Sequence, residues 1–173
     1  MNLKQLGKEI IETSYIEGDF TLSSGRRSTY IFDKYAFETR PKLLETIAKN
    51  LMKMVNSGIS KIAGMELGGV PLATALSLET GLPFVIVRKV KKGHGIDRKI
   101  EGNLTNKDKV VIVEDIATTG AQALLAAKAI EEAGATVLKI IYVVDREEGA
   151  RKKIESKGYK FEPLFTKSSL GIT

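Results

Sequence analysis

The 173-residue chain has no cysteine, no tryptophan and a single histidine, His94. Without cysteine there are no disulfides, no thiolate nucleophile, no thiolate-bound zinc and no iron–sulfur cluster. One histidine rules out a His-rich metal centre. The apolar runs are short (Leu82–Val87 is already broken by Pro83), whereas a bilayer-spanning helix needs about 20 apolar residues. The first residues, MNLKQLGKEIIETSYIEGDF, carry charges throughout and contain no apolar signal core. A cytoplasmic protein with no membrane partner is therefore expected. The composition, 43% hydrophobic and 28% charged, is too apolar for a disordered chain. The length suits one domain over residues 1–173 with a core of its own.

The charge is unevenly placed. The chain carries 27 basic and 21 acidic side chains, a net +6. Residues 88–102, RKVKKGHGIDRKIEG, contain Arg88, Lys89, Lys91, Lys92, Arg98 and Lys99 against Asp97 and Glu101, a net +4. Nucleic-acid binders spread positive charge along a helix or a broad face, so no nucleic-acid partner is expected. A short basic segment holding one histidine and three glycines suits a loop that meets a small polyanion. On charge alone, a solvated surface loop is an equal reading.

Hydrophobic periodicity sets the organisation. Leu3, Leu6, Ile10 and Ile11 predict a first helix over residues 3–13 with Asn2 as its N-cap, and Phe20 to Tyr35 reads as short strands or extended loop. The pattern Leu43, Leu44, Ile47, Ala48, Leu51 predicts an amphipathic helix from Pro41 to Asn56. Strands are then predicted over Lys61–Gly64, Phe84–Arg88, Lys109–Glu114, Val137–Val144 and Tyr159–Phe165. Helices are predicted over Pro71–Glu79, Gly120–Ala133 and Ala150–Lys157. Strands apolar on both faces and separated by helices indicate a parallel sheet covered on both sides. The expected fold class is α/β, a doubly wound, mostly parallel sheet flanked by helices, with a small N-terminal cap.

Ligands of such sheets bind beyond the carboxyl ends of the strands. The most informative strand end is KVVIVEDIATTGAQ, residues 109–122. An apolar strand runs into Glu114 and Asp115, then into the small residues Ile116, Ala117, Thr118, Thr119 and Gly120, then into an alanine-rich helix. Backbone N–H groups of residues 116–120, threonine hydroxyls and a helix N-terminus together suit a phosphate monoester. The acids repel phosphate, so they suit sugar hydroxyls or a cation beside it. An ordinary turn with threonine caps is the plainer alternative. The loop is neither a Walker A motif nor a dinucleotide fingerprint. Gly64–Pro71, GMELGGVP, either offers backbone N–H groups to a polyanion or simply turns the chain into a helix.

The run VVIVEDIATTGAQ resembles the phosphoribosyl-diphosphate-binding signature of type I phosphoribosyltransferases. Three more segments, FTLSSGRRSTYIFD, RKVKKGHG…EG and VVDREEG, resemble the orotate phosphoribosyltransferases within that family, in order and spacing over nearly the whole chain. The resemblance implies Mg²⁺-dependent transfer of ribose 5-phosphate from phosphoribosyl diphosphate to orotate. It places the 5-phosphate on residues 116–120, with Ala121 and Gln122 completing the donor signature, and sets Glu114 and Asp115 against the ribose hydroxyls. Arg88, Lys89, Lys92 and His94 would meet the diphosphate, and Thr118 and Arg146 the orotate. Asp115, Lys92 and His94 would be catalytic. The metal would be held mainly by substrate oxygens rather than by a protein cage. A homodimer with shared active sites is implied, its loops exchanged between subunits.

Two positions depart from the common bacterial pattern: Ser23 and the Leu67-Gly68-Gly69 segment stand where many members carry lysine. The loop after His94 is also longer and adds Arg98 and Lys99. Two other readings remain. One is a phosphoribosyltransferase for another base. The other is a regulator that senses phosphoribosyl diphosphate and binds nucleic acid, although residues 1–19 are too short for a DNA-reading module.

Overall fold

The computed structural model describes residues 1–21, 25, 27–89 and 99–172. Helix α1 (Leu3–Ser14) starts with a capping box in which the Asn2 side chain accepts from Gln5 N–H and the Gln5 side chain accepts from Asn2 N–H. Strands β1 (Tyr15–Thr21) and β2 (Arg27–Phe32) pair antiparallel as a separate two-stranded sheet. A short helix, α2 (Lys34–Glu38), then leads to α3 (Pro41–Met52). The region expected to be strands or loop is thus a hairpin followed by a helical turn. The α2 turn had no periodic signal because five residues are too few to show one.

The main sheet is built from β3 (Lys61–Met65), β4 (Phe84–Val87), β5 (Ile100–Glu101), β6 (Lys109–Ala117), β7 (Thr136–Asp145) and β8 (Lys160–Thr166). Their order is β5-β4-β3-β6-β7-β8, all parallel except β5, which runs antiparallel to β4 at the edge. Helices α4 (Gly69–Thr80), α5 (Ala121–Glu132) and α6 (Ala150–Glu155) make the crossovers. The chain builds outward from β3 to β4, then returns to place β6 on the other side of β3. The switch point of the sheet therefore lies between the carboxyl ends of β3 and β6, where a crevice opens.

Alternation along each strand divides the core. Val110, Ile112, Ile140 and Tyr142 pack with the alanines of α5 and with Ile154 of α6. Val111, Val113, Ile141 and Val143 face the other way, against α1, α3 and α4 through Leu6, Ile10, Ile47, Leu51, Leu72 and Leu76. Two buried lysines interrupt the apolar strands and are paired. Lys61 Nζ donates to the Asn103 carbonyl at 2.5 Å and lies 3.1 Å from Asp108, and Lys139 Nζ lies 2.8 Å from Glu162.

One strand boundary bears on the site. β6 was expected to end at Glu114, but it continues to Ala117, because Glu114, Ile116 and Ala117 pair with Tyr142, Val144 and Asp145 of β7. The two acids are therefore held in a rigid ladder instead of a loop. β7 likewise extends to Asp145, and its end is joined to that of β6 by Arg146 N–H donating to the Ala117 carbonyl at 2.9 Å.

Candidate functional site

A cavity of about 250 Å³ occupies the switch point. Met65, Glu66 and Gly68 wall it on the β3 side, and Glu114, Asp115, Ile116 and Thr118–Gln122 on the β6 side, with Tyr142 and Lys34 completing it. The turn after β3 packs so closely on β3 and on β6 that no side chain fits at two of the glycines here. A Cβ on Gly64 would fall 2.2 Å from the Gly69 carbonyl oxygen, and one on Gly68 would fall 1.7 Å from Asp115 Oδ2. This explains the glycine-rich turn that follows β3: it lays bare backbone against the acids.

Asp115 is only 3% exposed. Its Oδ1 accepts the N–H of Ile116 at 2.5 Å, and its Oδ2 lies 2.7 Å from Lys34 Nζ. Glu114 accepts the Met65 N–H at 3.2 Å, which ties β6 to β3 across the crevice. Burial pushes the Glu114 carboxyl well above its ordinary range, and the neighbouring charge of Asp115 adds to this. Burial likewise holds the Tyr142 phenol up, with Glu114 and Asp115 contributing, so it lines the cavity as a neutral hydroxyl.

The predicted anion cup is narrower than residues 116–120. The Ile116 N–H is already taken by Asp115, and Ala117 is buried in the core, away from the cavity. The open part runs from Thr118 to Gln122. Gly120 sits there at φ +71° as the N-cap of α5, and a Cβ on it would press to 2.9 Å on Ile154. Thr118, Thr119 and the first residues of α5 line the crevice there, at the end of a helix whose first N–H groups have no intrahelical partner.

The basic segment divides. Lys89 lines the cavity, and its N–H donates to Glu66 at 2.7 Å. Arg88 faces Glu101 at 3.8 Å instead and does not line the cavity. Lys92 and His94 lie outside the described residues, as does Ser23.

Arg146, only 6% exposed, begins a second and wider cavity beside the first. Its guanidinium lies 4.4 Å from the centre of the Tyr30 ring, its Nε is 2.8 Å from Glu148, and its Nη2 donates to the Ser28 hydroxyl at 3.3 Å. Tyr30 is itself stacked on Tyr15 across the hairpin, at 5.1 Å. The small antiparallel sheet thus acts as a hood over Arg146. Thr118 lines the first cavity and Arg146 the second, at the ends of adjacent strands.

The sequence reading missed five contributors. Arg27, Ser28 and Tyr30 line the Arg146 cavity, and Lys34 and Glu38 surround Asp115. Only FTLSSGRRSTYIFD had pointed to the hood, and then as a whole segment with no individual roles.

The site is thus a parallel sheet with two buried acids beside a helix N-terminus at its switch point. The chain belongs to the phosphoribosyl transferase domain family, whose profile matches residues 36–163. Its relatives narrow the class. It is 51% identical to an orotate phosphoribosyltransferase of Pyrococcus horikoshii, covering 88% of this chain and 84% of the relative. It is 47% identical to one from Methanocella arvoryzae, covering 88% and 87%. Among solved structures, a Mycobacterium tuberculosis orotate phosphoribosyltransferase in complex with 5-phospho-α-D-ribosyl 1-diphosphate superposes with a TM-score of 0.83 at 29% identity, over 98% of this chain and 99% of that one. The Aeropyrum pernix orotate phosphoribosyltransferase gives 0.83 at 28% identity, over 95% of each.

Proposed function

We propose that this protein transfers ribose 5-phosphate from phosphoribosyl diphosphate to a ring nitrogen of orotate, releasing diphosphate and orotidine 5′-monophosphate, a step of pyrimidine nucleotide synthesis. The observation that carries this reading is the switch-point cavity, with two buried acids beside an open helix N-terminus. It is a compartment divided into a sugar side and a phosphate side.

The 5-phosphate binds the N–H groups and hydroxyls from Thr118 to Gln122, which offer donors and the positive end of α5 without a competing carboxylate. Glu114 and Asp115 accept the ribose 2- and 3-hydroxyls. Their rigid place in β6 fixes the sugar ring, so that its anomeric carbon faces the Arg146 cavity. Loss of diphosphate leaves positive charge on the sugar, and Asp115 stabilises it while Lys89, Lys92 and His94 meet the charge growing on the leaving group. The last two belong to the basic segment that follows Arg88 in the sequence. Arg146 is held flat by Tyr30 and Glu148 and offers its remaining N–H groups to the orotate carboxylate, with Thr118 contacting the base.

The donor set at the cavity floor, two adjacent carboxylates, fits Mg²⁺ as a minor share of its ligands, with diphosphate and sugar oxygens supplying the rest. When bound, the ion would offset the charge of the diphosphate. The enzyme works as a homodimer in which the basic loop of one subunit serves the site of the other.

The test is consumption of orotate, followed by its ultraviolet absorbance, with phosphoribosyl diphosphate and Mg²⁺, beside uracil, adenine and hypoxanthine. Loss of orotate that needs all three components is expected. Turnover of another base alone would overturn the base assignment. Donor binding without turnover of any base would favour a sensor, which salt-sensitive retention of DNA or RNA would then reveal.

A further inference from the structure

We propose that Lys34 is a binding residue for the phosphorylated donor, held in the empty protein by Asp115; the proposal rests on the donor-site reading above and adds a residue to that site. Lys34 opens α2, in the hood, and no motif of the sequence marks it. Its Nζ lies 2.7 Å from Asp115 Oδ2, yet the two side chains differ in access: that of Asp115 is buried and that of Lys34 is half-buried. The ammonium has three donors, and Lys34 lines the cavity.

The charges of the cavity require such a group. Glu66 and Asp115 line it, while Lys34 and Lys89 are the lysines that face it among the described residues. A donor bearing a phosphate and a diphosphate cannot enter an acidic crevice without cations to offset both its own charge and that of the walls. Burial pulls the Lys34 ammonium down, but the charge of Asp115 and the contact with it outweigh that, so Lys34 stays protonated. The turn after β3 cannot supply the cation at this point. A Cβ on Gly68 would meet Asp115 Oδ2 at 1.7 Å and Lys34 Nζ at 3.0 Å, so the space a side chain would need there is already used by the Lys34–Asp115 pair. Cationic duty beside Asp115 therefore falls to a residue reaching in from the hood. Once Asp115 accepts sugar hydroxyls, its hold on the ammonium weakens and Lys34 turns to the anionic oxygens of the donor.

A purely structural Lys34 would change stability and leave donor affinity alone, so affinity decides. Phosphoribosyl diphosphate with Mg²⁺ is titrated calorimetrically into the full chain, its Lys34→Met variant and its Lys34→Arg variant, with KM values for donor and orotate measured beside them. In Lys34→Met the donor Kd and KM are expected to rise about tenfold or more, the worth of one charge-assisted contact, with the orotate KM within about twofold and Lys34→Arg recovering part of the loss. A donor Kd unchanged in folded Lys34→Met overturns the proposal. Should Lys34→Met fail to fold, Lys34→Gln, which keeps a polar head without the charge, carries the same comparison. A wild type that binds donor but turns over no orotate removes the base assignment and leaves the Lys34 comparison decisive. A wild type that binds no donor overturns both.

Discussion

At the scale of single residues the site is a problem of buried charge. Glu38 is 2% exposed and lies against Asp115, away from water. Burial first, then the charge of Asp115, pushes its carboxyl up to about 8 from an ordinary 4.5. A carboxyl raised in the folded state binds its proton more tightly there than in the unfolded chain, so its contribution to stability is complete below the unfolded value and lost as pH rises through the folded one. The unfolding free energy is accordingly expected to fall between pH 4.5 and about 8, and Glu38→Gln should flatten that fall, by on the order of a few kcal/mol at most. Denaturant titrations at four pH values check it, and a slope identical in both proteins would refute it. Asp115→Asn keeps shape and removes charge. Its turnover of orotate should drop about 100-fold or more, with the circular dichroism spectrum unchanged. An unaltered rate would remove Asp115 from the mechanism.

At the scale of elements, the turn between β3 and α4 and the end of β6 are shaped against each other. Gly68→Ala places a methyl group on Asp115 Oδ2 and must displace either the carboxylate or the turn. The donor KM should rise about tenfold, on the scale of a misplaced binding group. Gly58→Ala, where an added Cβ meets nothing within 4 Å, should leave the donor KM as it is. Measuring both KM values separates the crevice from a general glycine effect. The elements were largely legible in the sequence, because an apolar run bounded by turn residues, or a period of 3.6, is a local signal. Those that escaped were local in another sense. α2 is too short to show a period, and the last residues of β6 look like loop until β7 is placed beside them.

At the scale of the whole molecule, the site is assembled by the sheet order and the hood together. A metal held mainly by substrate oxygens has little affinity for the empty protein. Mg²⁺ alone should therefore move the thermal midpoint little, and Mg²⁺ with phosphoribosyl diphosphate should raise it by several degrees. A large shift with Mg²⁺ alone would point to a protein-built metal site. Chelation should stop turnover without unfolding the chain. Mixing Asp115→Asn with Lys92→Ala should restore part of the activity if loops serve the neighbouring subunit, and no recovery after demonstrated subunit exchange would exclude sharing.

By itself the sequence determined the alternation of strands and helices, and hence a parallel sheet with both faces covered. It also determined the run from Glu114 to Gln122, where acids, small residues and a helix start are contiguous and carry their chemistry together. Only the tertiary structure decided what surrounds those acids. Lys34 and Glu38 come to Asp115, and Tyr30 to Arg146, from segments roughly 80 to 120 residues away in the chain. No spacing or period relates such residues. They meet because β3 and β6 lie side by side, glycines let the backbone between them close in, and the N-terminal hairpin folds over the gap that remains.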